Sequence, residues 1–157
     1  MQISLRKSEA SDLEIFHQNQ ATEEANFMAA FTSKNPQDKE AYLKKWAGLM
    51  TVDSVHLQSL LLNEAVVGSV VKFEMEGDSD ITYTLDKGHW GKGVTTEAVK
   101  LFLDIEKTRP MFGRVAYDNY GSQKILEKSD FKKIGSNTAF ANTRGMEIAE
   151  FIYRLDN

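Results

Sequence analysis

One stretch of the sequence decides the fold, residues 81–98, which read ITYTLDKGHWGKGVTTEA. Apolar residues alternate through Ser79–Leu85, which predicts a β-strand with one buried face. A glycine-containing bend, Gly88–Gly93, follows, and helical spacing of apolar residues then runs through Thr95–Lys107. The residues therefore predict a strand, a glycine loop and a helix in direct succession.

The segments on either side of this unit predict further strands and helices. Strands are expected over Ile3–Arg6, Val55–Leu62, Ala65–Glu74, Arg114–Tyr117, Phe131–Ala141 and Glu147–Leu155, with a tight hairpin at Asn63–Glu64. Helices are expected after a capping box at Ser11–Glu14, over Thr22–Phe31, from Asn35 and Pro36 to about Met50, and over Ser122–Ser129. This order predicts an α/β fold of the α+β type, in one domain over residues 1–157. Its mixed, mostly antiparallel sheet would have about six to seven strands flanked by about four to five helices.

The composition is that of one globular domain. The chain has 157 residues, of which 41% are hydrophobic and 27% charged, enough to bury a core without disulfides. It contains no cysteine, which excludes thiol nucleophiles and thiolate metal sites, and its three histidines lack metal-ligand spacing, so no metal is expected. The net charge of −4 argues against a general nucleic-acid binder. Neither a signal peptide nor a membrane span is evident, so a cytoplasmic location and no membrane partner are expected.

The glycine loop has the chemistry of an anion site. Gly91 and Gly93 let the backbone approach a ligand, and the amides that begin the following helix have no partner inside it. With the helix dipole these amides suit a diphosphate, and Lys92 adds positive charge. The spacing fits neither a Walker loop nor a dinucleotide fingerprint. On spacing alone, a tight turn that caps a helix is the favoured interpretation.

Two sequence blocks resemble a known family. Trp90–Ala98 resembles the acetyl-CoA diphosphate loop of the GNAT superfamily of N-acetyltransferases, especially the branch of ribosomal-protein N-terminal acetyltransferases. Asn119–Phe131 is similar to a second block of that branch, and the resemblance extends to Leu5–Asp12 and Gly68. The chain departs from the pattern where a glycine or alanine is replaced by Thr95 and a glycine by Asp130.

The resemblance implies acetyl transfer from acetyl-CoA to a primary amine by direct attack in a ternary complex. The cosubstrate-binding residues would be Trp90, Gly91, Lys92, Gly93, Val94, Thr95 and Thr96, together with Asn119. The pantetheine arm would lie between the strands Ser79–Leu85 and Arg114–Tyr117.

The resemblance also implies catalytic roles. Asp80 would remove the proton from the amine, although a surface carboxylate within the acidic turn 76–80 is an equal alternative. Ser122 would protonate the leaving thiolate, because the usual tyrosine position is occupied by Leu126. Asn119 would hold the catalytic geometry. Helix capping for Ser122, a turn role for Asn119 and protonation of sulfur by solvent remain open.

The acceptor is not fixed by the sequence. A protein N-terminal α-amine and a small-molecule amine are both open, as are a monomer and a homodimer. The two early helices would form the acceptor wall, and its candidate side chains, for which core packing is the alternative, are Phe27, Met28, Phe31 and Trp46. A non-catalytic acyl-CoA-binding or sensory domain on the same fold is the main rival, and a glycine-turn domain without a cofactor is another.

Overall fold

The computed structural model describes residues 2–157, which form a mixed seven-stranded sheet in the order β1-β2-β3-β4-β5-β7-β6. The strands are β1 (Ile3–Lys7), β2 (His56–Leu62), β3 (Ala65–Met75), β4 (Asp78–Leu85), β5 (Met111–Ala116), β6 (Lys132–Ala141) and β7 (Met146–Leu155). The helices are α1 (Leu13–Ala21), α2 (Glu23–Ala29), α3 (Lys39–Leu49), α4 (Val94–Ile105) and α5 (Tyr120–Lys128). The expected fold class, including the meander and the closing β6–β7 pair, is confirmed.

The sheet opens in its middle. Strands β1 to β4 are antiparallel neighbours, whereas β4 and β5 are parallel and pair at two positions, Ser79 with Met111 and Asp80 with Phe112. Beyond Asp80 the two strands separate, and within residues 2–157 the β5-facing edge of Thr82–Leu85 pairs with no other strand. A gap therefore runs from Asp80 towards the loop that follows β4.

The two faces of the sheet are covered by different helices. The larger core lies on the α4 and α5 face, where Ile81 and Leu85 of β4 pack with Phe102 of α4. The smaller core lies on the α1 and α3 face, where Phe16 of α1 packs with Val71 of β3. Strand alternation therefore directs neighbouring side chains of β4 to opposite faces.

The predicted capping box at Ser11–Glu14 is wrong by two residues. A short 3-10 turn, Ala10–Asp12, precedes α1, and the Asp12 carboxylate accepts the N–H of Glu9 at 2.9 Å. The same carboxylate accepts from Arg6 at 2.7 Å, which holds Asp12 buried. The capping box therefore runs from Glu9, the N-cap, to Asp12, two positions before the expected Ser11 and Glu14.

The predicted start of α3 at Asn35 and Pro36 is also wrong. The helix begins at Lys39, because the side chain of Asp38 accepts the N–H of Ala41 at 3.0 Å. The carbonyl of Pro36 accepts Nε2 of Gln20 at 2.9 Å instead, which anchors this segment on α1.

Strand β5 begins three residues before the expected Arg114. Gly113 lies inside this strand, where a Cβ would stand 2.8 Å from Cδ2 of Leu126, so the position requires a glycine. Helix α5 thus packs closely on β5. Elsewhere the helix ends differ from expectation by about two residues; α2, for instance, ends at Ala29 because Ala30 has a φ of 66°. None of the helices among residues 2–157 is both long and apolar enough to cross a membrane.

Candidate active site

The loop between β4 and α4 is held open by its own contacts. Gly91 and Gly93 both have φ of 76°, and a Cβ at either would meet no heavy atom within 4 Å. The indole Nε1 of Trp90 donates to the carbonyl of Leu85 at 2.9 Å, which fixes the loop against the end of β4. The N–H groups of Gly91, Lys92 and Gly93 donate to no acceptor in the part of the chain that the structure describes. The loop therefore presents free donors in a space without side chains.

Helix α4 adds its N-terminus to this loop. Gly93 is the N-cap residue, and the first-turn amides that follow it lack partners within the helix. Thr95 is 8% exposed and shares the buried face of α4 with Ala98 and Phe102. Its bulkier side chain is therefore largely buried within the fold.

Asp80 lies at the point where β4 and β5 separate. It is 2% exposed, and its Oδ2 accepts Nε of Arg114 at 3.1 Å. Its Oδ1 has no hydrogen-bond partner among residues 2–157. Burial raises the pKa of Asp80 to about 6, although Arg114 opposes this rise. The pKa of this carboxyl group is thus closer to neutral pH than the pKa of an exposed aspartate.

Two further acidic groups share the surroundings of Arg114. Asp78 is 3.8 Å from Nη2 of Arg114, and Glu150 of β7 is half-buried on the same face of the sheet. Burial raises the pKa of Glu150, and the charge of Arg114 lowers it. The face of the sheet covered by α1 and α3 therefore carries three carboxyl groups around one guanidinium.

The N-terminus of α5 carries the second predicted pair. Oδ1 of Asn119 accepts the N–H of Ser122 at 3.2 Å, and its Nδ2 donates to the carbonyl of Met28 at 3.3 Å. Asn119 thus caps α5 and ties it to the end of α2. The hydroxyl of Ser122 lies 2.6 Å from the hydroxyl of Tyr83. Leu126, at the usual tyrosine position, is 2% exposed within the core.

A small cleft opens beside β4 on the face covered by α1 and α3. Tyr42 and Trp46 of α3 line it together with Thr82 and Thr84 of β4. Trp46 also packs against the smaller core. Phe27 lies elsewhere, 46% exposed, beneath the guanidinium of Arg144 at 3.8 Å.

The structure brings most of the predicted residues together. Trp90–Gly93 form one loop, Val94–Thr96 form the first turn of α4 directly after it, and α4 and α5 are packed neighbours. Asp80 and Ser122 lie on opposite faces of the sheet, on either side of the gap between β4 and β5. Sequence reasoning missed Arg114 and Tyr83 as parts of the site, although strand alternation in β4 and β5 could have assigned each to its face.

A sheet that opens beside a glycine loop and a helix N-terminus is the architecture of a domain that binds an anionic cosubstrate. The sequence pattern of the acetyltransferase (GNAT) domain matches residues 2–132. The chain therefore belongs to the GNAT acetyltransferase family, which confirms the expected family and the expected acetyltransferase domain.

Individual relatives are similar in sequence or in fold. A probable N-acetyltransferase, YjcK of Bacillus subtilis (strain 168), is 44% identical over 59 residues, which cover 35% of this chain and 33% of that protein. The chain therefore spans about a third of the length of this curated relative.

Solved structures match over nearly the whole chain. The ribosomal L7/L12 alpha-N-protein acetyltransferase RimL, in complex with coenzyme A, has a TM-score of 0.83 at 16% identity and covers 98% of this chain and 93% of its own. A chimera of spermidine N-acetyltransferase SpeG, from Vibrio cholerae and hSSAT, has a TM-score of 0.78 at 16% identity. It covers 99% of this chain and 96% of its own. At these identities the likeness establishes the fold.

Proposed function

We propose that this chain transfers the acetyl group of acetyl-CoA to a primary amine. The observation that carries the proposal is the open loop of Gly91, Lys92 and Gly93, with free N–H donors at the N-terminus of α4. Main-chain donors and a helix dipole together suit the diphosphate of coenzyme A. Thr95 is largely buried, so its side chain is proposed to leave room for that diphosphate.

The pantetheine arm would follow the gap between β4 and β5. Its amides can pair with the free edge of Thr82–Leu85 in the manner of an added strand. This binding would direct the thioester from the loop towards Asp80, where the two strands meet. Holding the thioester at a fixed point makes the attack of a bound amine effectively unimolecular.

Asp80 is proposed as the general base. An alkylammonium has a pKa of about 10.4, so it must lose a proton before its nitrogen can attack. The raised pKa of Asp80, about 6, makes this carboxylate a stronger base than an exposed aspartate while leaving it ionised at neutral pH. The proton would pass to Oδ1, the oxygen not bonded to Arg114, directly or through one water.

The remaining steps balance the reaction. The amine nitrogen bonds to the carbonyl carbon, the carbon–sulfur bond breaks, and its electron pair remains on sulfur. The nitrogen loses its second proton, and sulfur gains one to give the free thiol of coenzyme A. Ser122, at the start of α5, is the group proposed to face the sulfur during this step.

The acceptor is proposed to be a cationic primary amine. Asp78, Asp80 and Glu150 lie on one face, and their negative charge would attract an ammonium group. The structural relatives act, by their names, on a ribosomal protein and on spermidine, so a peptide N-terminus and a polyamine are the two acceptor classes to test.

A thiol-release assay tests the proposal. Purified protein is incubated with acetyl-CoA and, separately, with a peptide bearing a free α-amine and with spermidine. Thiol release that depends on the amine, with an acetylated product of matching mass, supports transfer. Binding of acetyl-CoA without release on either acceptor class would contradict the enzyme assignment for these acceptors.

That second outcome would favour the rival, a non-catalytic acyl-CoA-binding domain. Two observations favour this non-catalytic alternative. Leu126 supplies no hydroxyl group at the usual tyrosine position, and Asp80 is only 2% exposed. A thermal shift with acetyl-CoA in the absence of turnover is its expected signature, because binding to the native state alone raises stability.

A further inference from the structure

Tyr83 and Ser122 connect the two sides of the open gap. Tyr83 lies in the part of β4 beyond the pairing with β5, and its side chain packs on the α4 and α5 face. Its hydroxyl reaches Ser122 in the first turn of α5, with 2.6 Å between the two oxygens. This contact joins residues 39 positions apart and starts from the part of β4 that does not pair with β5.

We infer that Tyr83 is a positioning residue that aims the hydroxyl of Ser122 at the leaving sulfur. The inference rests on the proposed acetyl transfer and deepens it, because it assigns the stabilisation of the thiolate to a pair of hydroxyl groups. Tyr83 donates its O–H to Oγ of Ser122, and Ser122 donates its own O–H to the sulfur as the carbon–sulfur bond breaks. The electron pair goes to sulfur, which takes its final proton from solvent.

The inference requires Tyr83 to donate its O–H to Oγ of Ser122, and the 2.6 Å separation of the two oxygens permits this direction. Burial raises the pKa of Tyr83 well above its usual value, so this group remains a neutral O–H donor. The carbonyl oxygen of Ser122 is 3.3 Å from the same hydroxyl, farther than Oγ at 2.6 Å, so Oγ is the nearer acceptor for the single phenolic hydrogen. With Oγ accepting from Tyr83, the hydrogen of Ser122 is free to point elsewhere. A hydroxyl that accepts one hydrogen bond becomes a better donor of the next.

The packing of α5 explains why a hydroxyl must come from this pair. Leu126 is directed into the core, where its Cδ2 would lie 2.8 Å from a Cβ at Gly113. Leu126 therefore supplies no hydroxyl group to the gap. The Tyr83–Ser122 pair lies one turn nearer the start of α5, beside the separated strands.

A double-mutant cycle tests the inference. Tyr83→Phe removes only the phenolic oxygen and is expected to lower kcat about tenfold with an unchanged KM for acetyl-CoA. Ser122→Ala is expected to lower kcat at least as far. The double variant is expected to match Ser122→Ala, because Tyr83 acts through Ser122.

Tyr153→Phe is the matched control. Tyr153 is also buried, and its hydroxyl donates to Oε2 of Glu127 on the same helix at 3.0 Å. Its loss removes one buried hydrogen bond to α5 without touching Ser122. It should lower the melting temperature about as much as Tyr83→Phe does and leave kcat unchanged.

A second readout does not need turnover. The pKa of the thiol of bound coenzyme A, followed by thiolate absorbance, should lie below that of free coenzyme A in the wild type and rise in Tyr83→Phe. An unchanged thiol pKa in this variant, an unchanged kcat, or additive losses in the double variant would each overturn the inference alone. Failure of the wild type to bind coenzyme A would instead remove the proposed function, and this inference with it.

Discussion

Nε of Arg114 donates to Oδ2 of Asp80 at 3.1 Å, directly beside the last residues at which β4 and β5 pair. The bond uses one carboxylate oxygen and leaves the other without a partner among the described residues. Arg114 is 17% exposed in its side chain and Asp80 3%, so the pair is largely shielded from water. The guanidinium thereby keeps a buried carboxyl group ionisable at the place where the thioester is proposed to lie.

Asp80→Asn should abolish most of the activity. The amide keeps the shape of the side chain but cannot accept a proton, so kcat/KM is expected to fall about a hundredfold or more. Thiol release measured over a range of amine concentrations, from well below to above KM, checks this. Asp78→Asn is the matched control, since Asp78 is 44% exposed in its side chain and 3.8 Å from the same guanidinium. Equal losses in the two variants would assign the effect to charge rather than to base catalysis.

The pH dependence of the reaction should report the same carboxyl group. A general base works when ionised, so kcat/KM should rise with pH through about 6, the raised pKa of Asp80. Arg114→Gln removes the cation that lowers this pKa and should move the rise to higher pH. Rate profiles of the two proteins, with folding checked by circular dichroism, make the comparison. A profile that does not move in Arg114→Gln would count against Asp80 as the titrating group.

Gly93→Ala should weaken cosubstrate binding more than it weakens the fold. Gly93 has φ of 76°, so an alanine there costs about 1 kcal/mol of backbone strain, and its methyl group would enter the loop. Calorimetry with acetyl-CoA should give an affinity at least about tenfold lower. Gly145→Ala carries a similar strain at φ of 65° in the β6–β7 turn and should leave the affinity unchanged. Similar affinities for the two variants would refute the assignment of the loop.

Arg144 joins three elements and should contribute measurably to stability. Its guanidinium binds both carboxylate oxygens of Asp118 at 2.9 and 3.0 Å and donates from Nε to the carbonyl of Phe27 at 3.0 Å. Arg144→Met should lower the free energy of unfolding by about 2 kcal/mol, because it leaves Asp118 without its partner. Urea denaturation measures this. Lys39→Met, which breaks an exposed pair with Glu14 at 3.4 Å, should change stability by less than about 1 kcal/mol.

Local signals in the sequence were sufficient for the order of elements and for the succession of β4, the glycine loop and α4. Alternation in β4 and the glycines at 91 and 93 act over a few residues, so their effects are readable without the fold. The family resemblance added the expectation that this loop and the start of α5 belong to one site.

Contacts between distant residues were not predictable in the same way. The parallel register that places Arg114 beside Asp80 joins positions 34 apart, and a one-residue shift would turn Arg114 to the other face. The prediction of the cap before α1 was wrong for the same reason. Asp12 is held by hydrogen bonds from Arg6 on β1 and Ser59 on β2, which are contacts between separate elements. The predicted start of α3 was wrong because the Pro36 carbonyl accepts a hydrogen bond from Gln20 of α1.

The most direct test of the account is a titration of the isotopically labelled protein with acetyl-CoA, followed by amide proton and nitrogen chemical shifts. The account predicts that the N–H signals of Gly91, Lys92 and Gly93 move together and saturate with one binding constant, as each amide gains a phosphate oxygen. Binding that leaves these three amides unshifted, or no binding at all, would contradict it.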